Sequence, residues 1–270
     1  MTDDAPAPEP HAPPHAPPPA PPPAKTSRLT GAVAGYVALG VSVVALGLAA
    51  APYFGGGSGD DVRTYLLAHP EVLQEASLAL QAKEGQARVN DTNTAAAANA
   101  TLLAPDARDP AFGPADAKVT VIEFFDFRCP GCKAVAPQFR ALMAAHPDVR
   151  FVFKDWPILD RGEDVASQYA ARAALAAHQQ GKYLEVYDAL MTERALTPES
   201  IDRILAEHGV DMARAKQTLV APETTRHIAD IHTAAAALKL QGTPTFFVNG
   251  KAAASIDPAE IARMIEAAKR

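Results

Sequence analysis

An α/β fold is predicted for this 270-residue chain by three stretches. They are a strand-helix-strand pattern between Lys118 and Lys154, a helical pattern from Val165 to Leu240, and a hairpin followed by a helix at the C-terminal end. Lys118 to Phe127 (KVTVIEFFDF) is dense in β-branched and aromatic residues and reads as a buried strand. It runs straight into Arg128-Cys129-Pro130-Gly131-Cys132-Lys133. Ala134 to His146 then has helical spacing, and Arg150 to Lys154 (RFVFK) reads as the next strand, which completes a βαβ unit. In the helical stretch Pro198 starts one helix and turns fall near Gly181 and Gly209, so a helical insertion over about 160–240 is expected. Thr245 to Val248 (TFFV), Asn249-Gly250 and Ala252 to Ser255 signal a hairpin with a type I′ turn. Asp257 as N-cap and Pro258 at the first helical position open a last helix ending near Lys269.

The N-terminal part has a different character, because 11 of the 24 prolines lie between Pro6 and Pro23. Residues 1–28 form a Pro/Ala tract without apolar periodicity, expected to be disordered or polyproline-like and to serve as a spacer or docking tail. Residues 29–51 carry no charge over 23 positions and predict a transmembrane helix. Lys25 and Arg28 precede it while Asp60 and Asp61 follow, which sets the N-terminus in the cytoplasm and the rest outside. The competing reading is a signal peptide cleaved near Ala49-Ala50-Ala51; both readings export the remainder, and the long leader and apolar run favour an anchor.

Residues 52–59, with Gly55-Gly56-Gly57-Ser58-Gly59, read as a flexible tether. Residues 60–86 read as helical, with Asp60 or Asp61 as N-cap and Pro70 starting a second helix. Val62, Tyr65, Leu66, Val72, Leu73, Ala76 and Leu80 make an apolar stripe that needs a partner, either the main domain or further copies of the chain. Residues 87–105 suit a helical continuation or a linker, so 60–105 is an N-terminal helical segment ahead of a main domain at 106–270.

Composition narrows the function. A hydrophobic content of 48% suffices for a core. A net charge of −6, a pI near 5.7 and no basic run exclude a nucleic-acid partner. There are two cysteines, three positions apart, too few for a four-cysteine zinc site. A disulfide stabilises mainly by closing a long loop, and this gap closes almost none. Redox chemistry remains, or a metal site that borrows other ligands. A Cys-x-x-Cys at a strand end that opens a helix sets the first sulfur among unpaired N–H groups at the positive end of the helix dipole. Cys129 is therefore expected to be an ionised nucleophile and Cys132 to resolve the mixed disulfide, with no cofactor beyond the pair. Pro130 fits a helix start because it lacks an N–H. His69, His146, His178, His208, His227 and His232 show no convergent spacing and read as background.

These residues resemble the thioredoxin superfamily and, within it, the DsbA-like periplasmic proteins of the ScsC type. The resemblance covers residues 60–270 and is most specific over Val119 to Lys133 (VTVIEFFDFRCPGCK). Pro137 stands where such proteins carry a helix-kinking proline, and Gly242-Thr243-Pro244-Thr245 is similar to the loop whose cis-proline faces the cysteines. The resemblance implies a thioredoxin-like fold with an inserted helical domain, and oligomerisation through LLAHPEVLQEASLALQ. It implies that Glu123 is a buried acid exchanging protons with Cys132, against the plainer reading of a sheet-edge carboxylate in solvent. Thr243 leans toward the isomerase members, whereas Pro130-Gly131 alone does not fix the direction of electron flow. Lys154 is weighed as a partner of Glu123 and as a solvated strand-end lysine, and Trp156 as rim or core packing.

The expected protein is a periplasm-facing thiol:disulfide oxidoreductase of the bacterial inner membrane, leaning to isomerase or reductase, with a DsbA-like oxidase as alternative. Its expected partners are exported proteins, a membrane redox protein and copies of itself. From other classes stand a copper- or zinc-binding protein using both thiolates and a redox-silent scaffold.

Overall fold

The computed structural model describes residues 42–44 and 59–270. The expected tail, transmembrane helix and tether lie outside the described residues, apart from Ser42–Val44 and Gly59. Among the described residues no helix is long and apolar enough to cross a membrane. The described residues divide into two units, one ending at Val72 and the other running from Leu73 to Arg270.

In the first unit α1 spans Gly59–Ala68. It starts ahead of the acids expected to cap it, so Asp60 and Asp61 lie inside the helix. Val62, Tyr65 and Leu67 on α1 are exposed. Pro70 opens α2 (Pro70–Ala98), as its missing N–H allows at a first turn. This helix continues through the Ala-rich stretch to Ala98 and gives way to a 3₁₀ turn at Ala100–Leu103, with Ala104 and Pro105 outside any helix. Within the second unit Leu73, Leu78 and Leu80 of α2 are exposed, whereas Thr92, Ala95 and Ala96 are buried.

A five-stranded sheet centres this second unit. Its strands are β1 (Ala111–Phe112), β2 (Thr120–Phe125), β3 (Arg150–Asp155), β4 (Thr245–Val248) and β5 (Lys251–Ala252), in the order β1-β3-β2-β4-β5. Only β2 and β3 run parallel, joined by the crossover helix α3 (Pro130–Ala145). The two-residue β1 has no counterpart in the sequence reading. Beside it Gly113 sits at φ +93, and a Cβ there would lie 2.0 Å from Val149 O, so the close approach of these backbones needs glycine.

Strand alternation sends the residues of β2 to two cores. Val121 and Phe125 join the larger one, with Phe139 of α3, Tyr187 of the insertion and Ile261 of α9 (Pro258–Lys269). Ile122 and Phe124 join the smaller one, with Ala96, Leu103, Trp156 and Ile231. The expected insertion consists of α4 (Ala166–His178), α5 (Tyr183–Thr192), α6 (Pro198–Glu207), α7 (Met212–Val220) and α8 (Pro222–Ala237). Gly181 and Gly209, both at positive φ, make its turns.

Asn249 (φ 45) and Gly250 (φ 79) give the hairpin two left-handed residues, as a type I′ turn requires. Its second strand is Lys251–Ala252, earlier and shorter than the expected Ala252–Ser255. Glu260 is the reason: it accepts the Ala254 N–H and the Ser255 hydroxyl at 2.7 Å each, which draws the chain out of the sheet toward α9. Asp257 caps that helix by accepting from Ala259 N at 2.9 Å.

Candidate active site

The end of β2 delivers the chain to the N-terminus of α3, where Cys129 is the N-cap and Pro130 opens the helix. Both cysteines are free thiols. Both cysteines are buried, but Cys129 keeps 8% of its surface exposed and Cys132 keeps 0%, so of the two residues the first lies nearer to solvent. Burial opposes ionisation of Cys129, yet its thiol is lowered from 9.0 to about 5. The largest cause is a hydrogen bond from the Cys132 side chain, joined by the Thr243 side chain and the backbone N–H groups of Cys132 and Gly131. The Cys129 thiol also reaches Thr243 O at 3.1 Å. The Thr243-Pro244 peptide is cis, and Pro244 lies against the motif. A Cβ on Gly131 would come 3.3 Å from Pro244 Cδ and 3.7 Å from Cys129 Sγ, so glycine leaves room for this approach.

Glu123 is 0% exposed on the central strand, which removes the reading of a solvated edge carboxylate. Burial first, then the charges of Asp155 and Cys129, push its carboxyl up from 4.5 to about 8, against a hydrogen bond from Tyr187. The neighbouring thiol of Cys132 is pushed far up by burial, by its bond to Cys129 and by the Glu123 charge. The site therefore pairs a readily ionised sulfur, on the less enclosed of two buried cysteines, with a protonated sulfur beside a buried acid.

Lys154 answers to neither expectation. Register pairs Glu123 with Phe153 and Phe124 with Lys154, so the lysine leaves the opposite face of the sheet. There it is buried with Asp109 at 2.5 Å, and His227 approaches the same carboxylate at 3.2 Å. Trp156 is core packing, with Nε1 donating to His232 Nδ1 at 3.1 Å. Pro137 lies inside α3 as expected. Among the described residues no group of three or more His, Cys, Asp or Glu side chains is placed to hold a metal.

Two residues with positioning roles escaped the sequence reading. Asp126, buried in the turn before the motif, accepts from Arg128 N (2.8 Å), Ile158 N (2.8 Å), Leu159 N (3.0 Å) and Ser167 Oγ (2.9 Å). It fastens the motif turn to the segment after β3 and to α4. Asp126→Ala leaves these donors without an acceptor in a water-poor site, and urea unfolding is expected to show a loss of about 3 kcal/mol. Lys133 ends on three carbonyls, Leu190 O (2.9 Å), Met191 O (3.2 Å) and Glu193 O (2.7 Å), and so ties the start of α3 to the end of α5.

The family described as Thioredoxin matches residues 106–267, and that described as Copper resistance protein ScsC N-terminal domain matches residues 59–87. The chain belongs to the thioredoxin family. A solved thioredoxin-like oxidoreductase from Silicibacter pomeroyi DSS-3 is 37% identical, with a TM-score of 0.56, covering 61% of this chain and 94% of its own. Among curated relatives, Na+/H+ antiporter NhaA 3 of Salinispora tropica is 37% identical over 148 residues, 54% of this chain and 22% of its own length. The chain thus matches only about a fifth of that relative. Probable disulfide bond formation protein D of Bacillus anthracis is 29% identical over 153 residues, 52% of this thioredoxin-family chain and 70% of the relative.

Proposed function

We propose that this DsbA-like chain is a thiol:disulfide oxidoreductase, anchored in the bacterial inner membrane with residues 60–270 in the periplasm. The observation that carries the reading is the contrast within one motif: Cys129 ionises readily and keeps some exposed surface, while Cys132 is fully enclosed and protonated beside Glu123. In the reducing direction the Cys129 thiolate attacks a substrate disulfide and one substrate sulfur leaves as thiolate. Cys132 then gives its proton to Glu123 and attacks Cys129 Sγ. The Cys129-to-substrate bond breaks, the Cys129-Cys132 bond forms, and the second substrate sulfur leaves with the electron pair. Oxidation of a substrate is the reverse sequence.

Isomerase or reductase activity is the finer reading. The exposed apolar residues of α1 and of the first half of α2, within the ScsC-type segment, support assembly with further copies of the chain. Pro244 and Ile256 beside Gly131 also line a groove of about 410 Å³ with Arg88, Val89 and Ala253, room for an exported polypeptide. Copper or zinc held by the two thiolates is the alternative from another class, read out as stoichiometric metal retained through dialysis. Equilibration of the full chain with glutathione, together with its mass in detergent, tests the finer reading. A potential near about −180 mV in an oligomer is expected for an isomerase; one near about −270 mV in a monomer favours a reductase instead.

A further inference from the structure

Glu123 shares its chamber with a second acid. Asp155, the last residue of β3, is 1% exposed. Register sets Phe125 opposite Asp155 and Phe153 opposite Glu123, so both carboxyls leave the sheet on one face. A tyrosine of α5 holds one oxygen of each acid. Tyr187 OH donates to Glu123 Oε2 at 3.4 Å, and Tyr183 OH to Asp155 Oδ1 at 3.3 Å. The two rings stack at 6.1 Å, and Phe153 packs edge-on against both. Glu123 Oε1 and Asp155 Oδ2 are buried without a hydrogen-bond partner.

The titratable groups that act on this pair are Asp126 from the turn after β2, Asp109 from the segment before β1, Cys129 and Cys132 at the start of α3, and the two tyrosines. Among the described residues neither acid has an ion-pair partner, because Lys154 is engaged on the far face with Asp109. Two carboxylates in such a place resist ionising together, so the pair titrates as a unit. Burial raises both acids, and the Asp155 charge helps to keep the proton on Glu123.

Building on the oxidoreductase reading, we propose that Asp155 acts through Glu123, coupled to it across the Tyr183-Tyr187 stack, and sets the pH at which Glu123 exchanges the Cys132 proton. No bond to Asp155 forms or breaks. When Cys132 attacks the mixed disulfide its proton passes to the Glu123 carboxylate, and on re-reduction it returns to the sulfur. Asp155 decides how tightly Glu123 holds that proton in between.

An aromatic disulfide that releases a coloured thiolate separates the two sulfurs. Its first release reports Cys129 and its second reports Cys132. Asp155→Asn in the full chain is expected to shift the midpoint of the second phase to lower pH by about one unit. An unmoved midpoint in the folded variant overturns the role of Asp155 and leaves the oxidoreductase reading standing. A wild-type chain without the first phase sinks that reading itself. Should Asp155→Asn fail to fold, infrared titration of the wild-type chain decides: two separated steps of buried carboxylic acid bands support the pair, and a single step overturns it.

Discussion

Cys129→Ser is expected to lower turnover of a disulfide substrate by at least about three orders of magnitude, because a serine hydroxyl is un-ionised where the thiolate carries the reaction. Cys132→Ser is expected to fail differently. Its Cys129 still attacks, so the variant accumulates a mixed disulfide visible as added mass. Alkylation of Cys129 in the wild-type chain should follow the thiolate fraction, with a midpoint near pH 5. The sign of the linked stability follows from the same shift. With the folded thiol lowered from 9.0 to about 5, the reduced protein gains a stabilisation that is full above about 9 and is lost as pH falls through about 5. Oxidation removes the thiolate and with it this gain, so the reduced form should unfold at higher urea than the oxidised one at neutral pH. Equal turnover in Cys129→Ser and wild type would contradict the proposed chemistry, and retention of a partner by the variant would favour a scaffold.

Local pattern reveals much of what is made by neighbours in sequence, although the Asp60 or Asp61 cap did not form. The cysteine spacing, the proline at the helix start, the Asn249-Gly250 turn and the Asp257 cap all rest on contacts within about four residues, and each is found where pattern sets it. Glu123 is legible because a carboxylate inside VTVIEFFDF is chemically out of place in a central strand. The polar knots around it are not legible. Ser167 meets Asp126 across 41 residues, and Tyr187 meets Glu123 across 64. No periodicity in either segment records its partner. Lys154 shows the limit sharply: the strand was placed correctly and the pairing failed, since one step of register decides which face a side chain leaves. Asp155 lay just beyond the expected strand end, although its parity with Phe151 and Phe153 could have placed it on the core face.

Glu123→Gln is expected to stabilise the protein and to slow it. An acid whose folded proton affinity is raised from 4.5 to about 8 favours the folded state fully below the unfolded value, and that contribution is lost as pH rises through about 8. Between those limits the wild-type chain spends folding energy on holding a proton that the unfolded carboxylate would release. Glutamine keeps the shape and has nothing to release, so the variant should gain on the order of 3 kcal/mol at pH 7 and show a flatter dependence of urea midpoint on pH. The kinetic effect has the opposite sense. Without a carboxylate to take its proton, Cys132 should resolve a mixed disulfide about a hundredfold more slowly near pH 8, a usual contribution of a positioned base. One effect works against this loss, because removing the Glu123 charge makes Cys132 easier to ionise. Burial is the larger cause of that sulfur's reluctance and survives the substitution, so relief of charge does not cancel the loss of the base. A variant that gains no stability between pH 5 and 8, yet still slows, would place the proton of Cys132 on another acceptor, and Asp155 would be the first to examine.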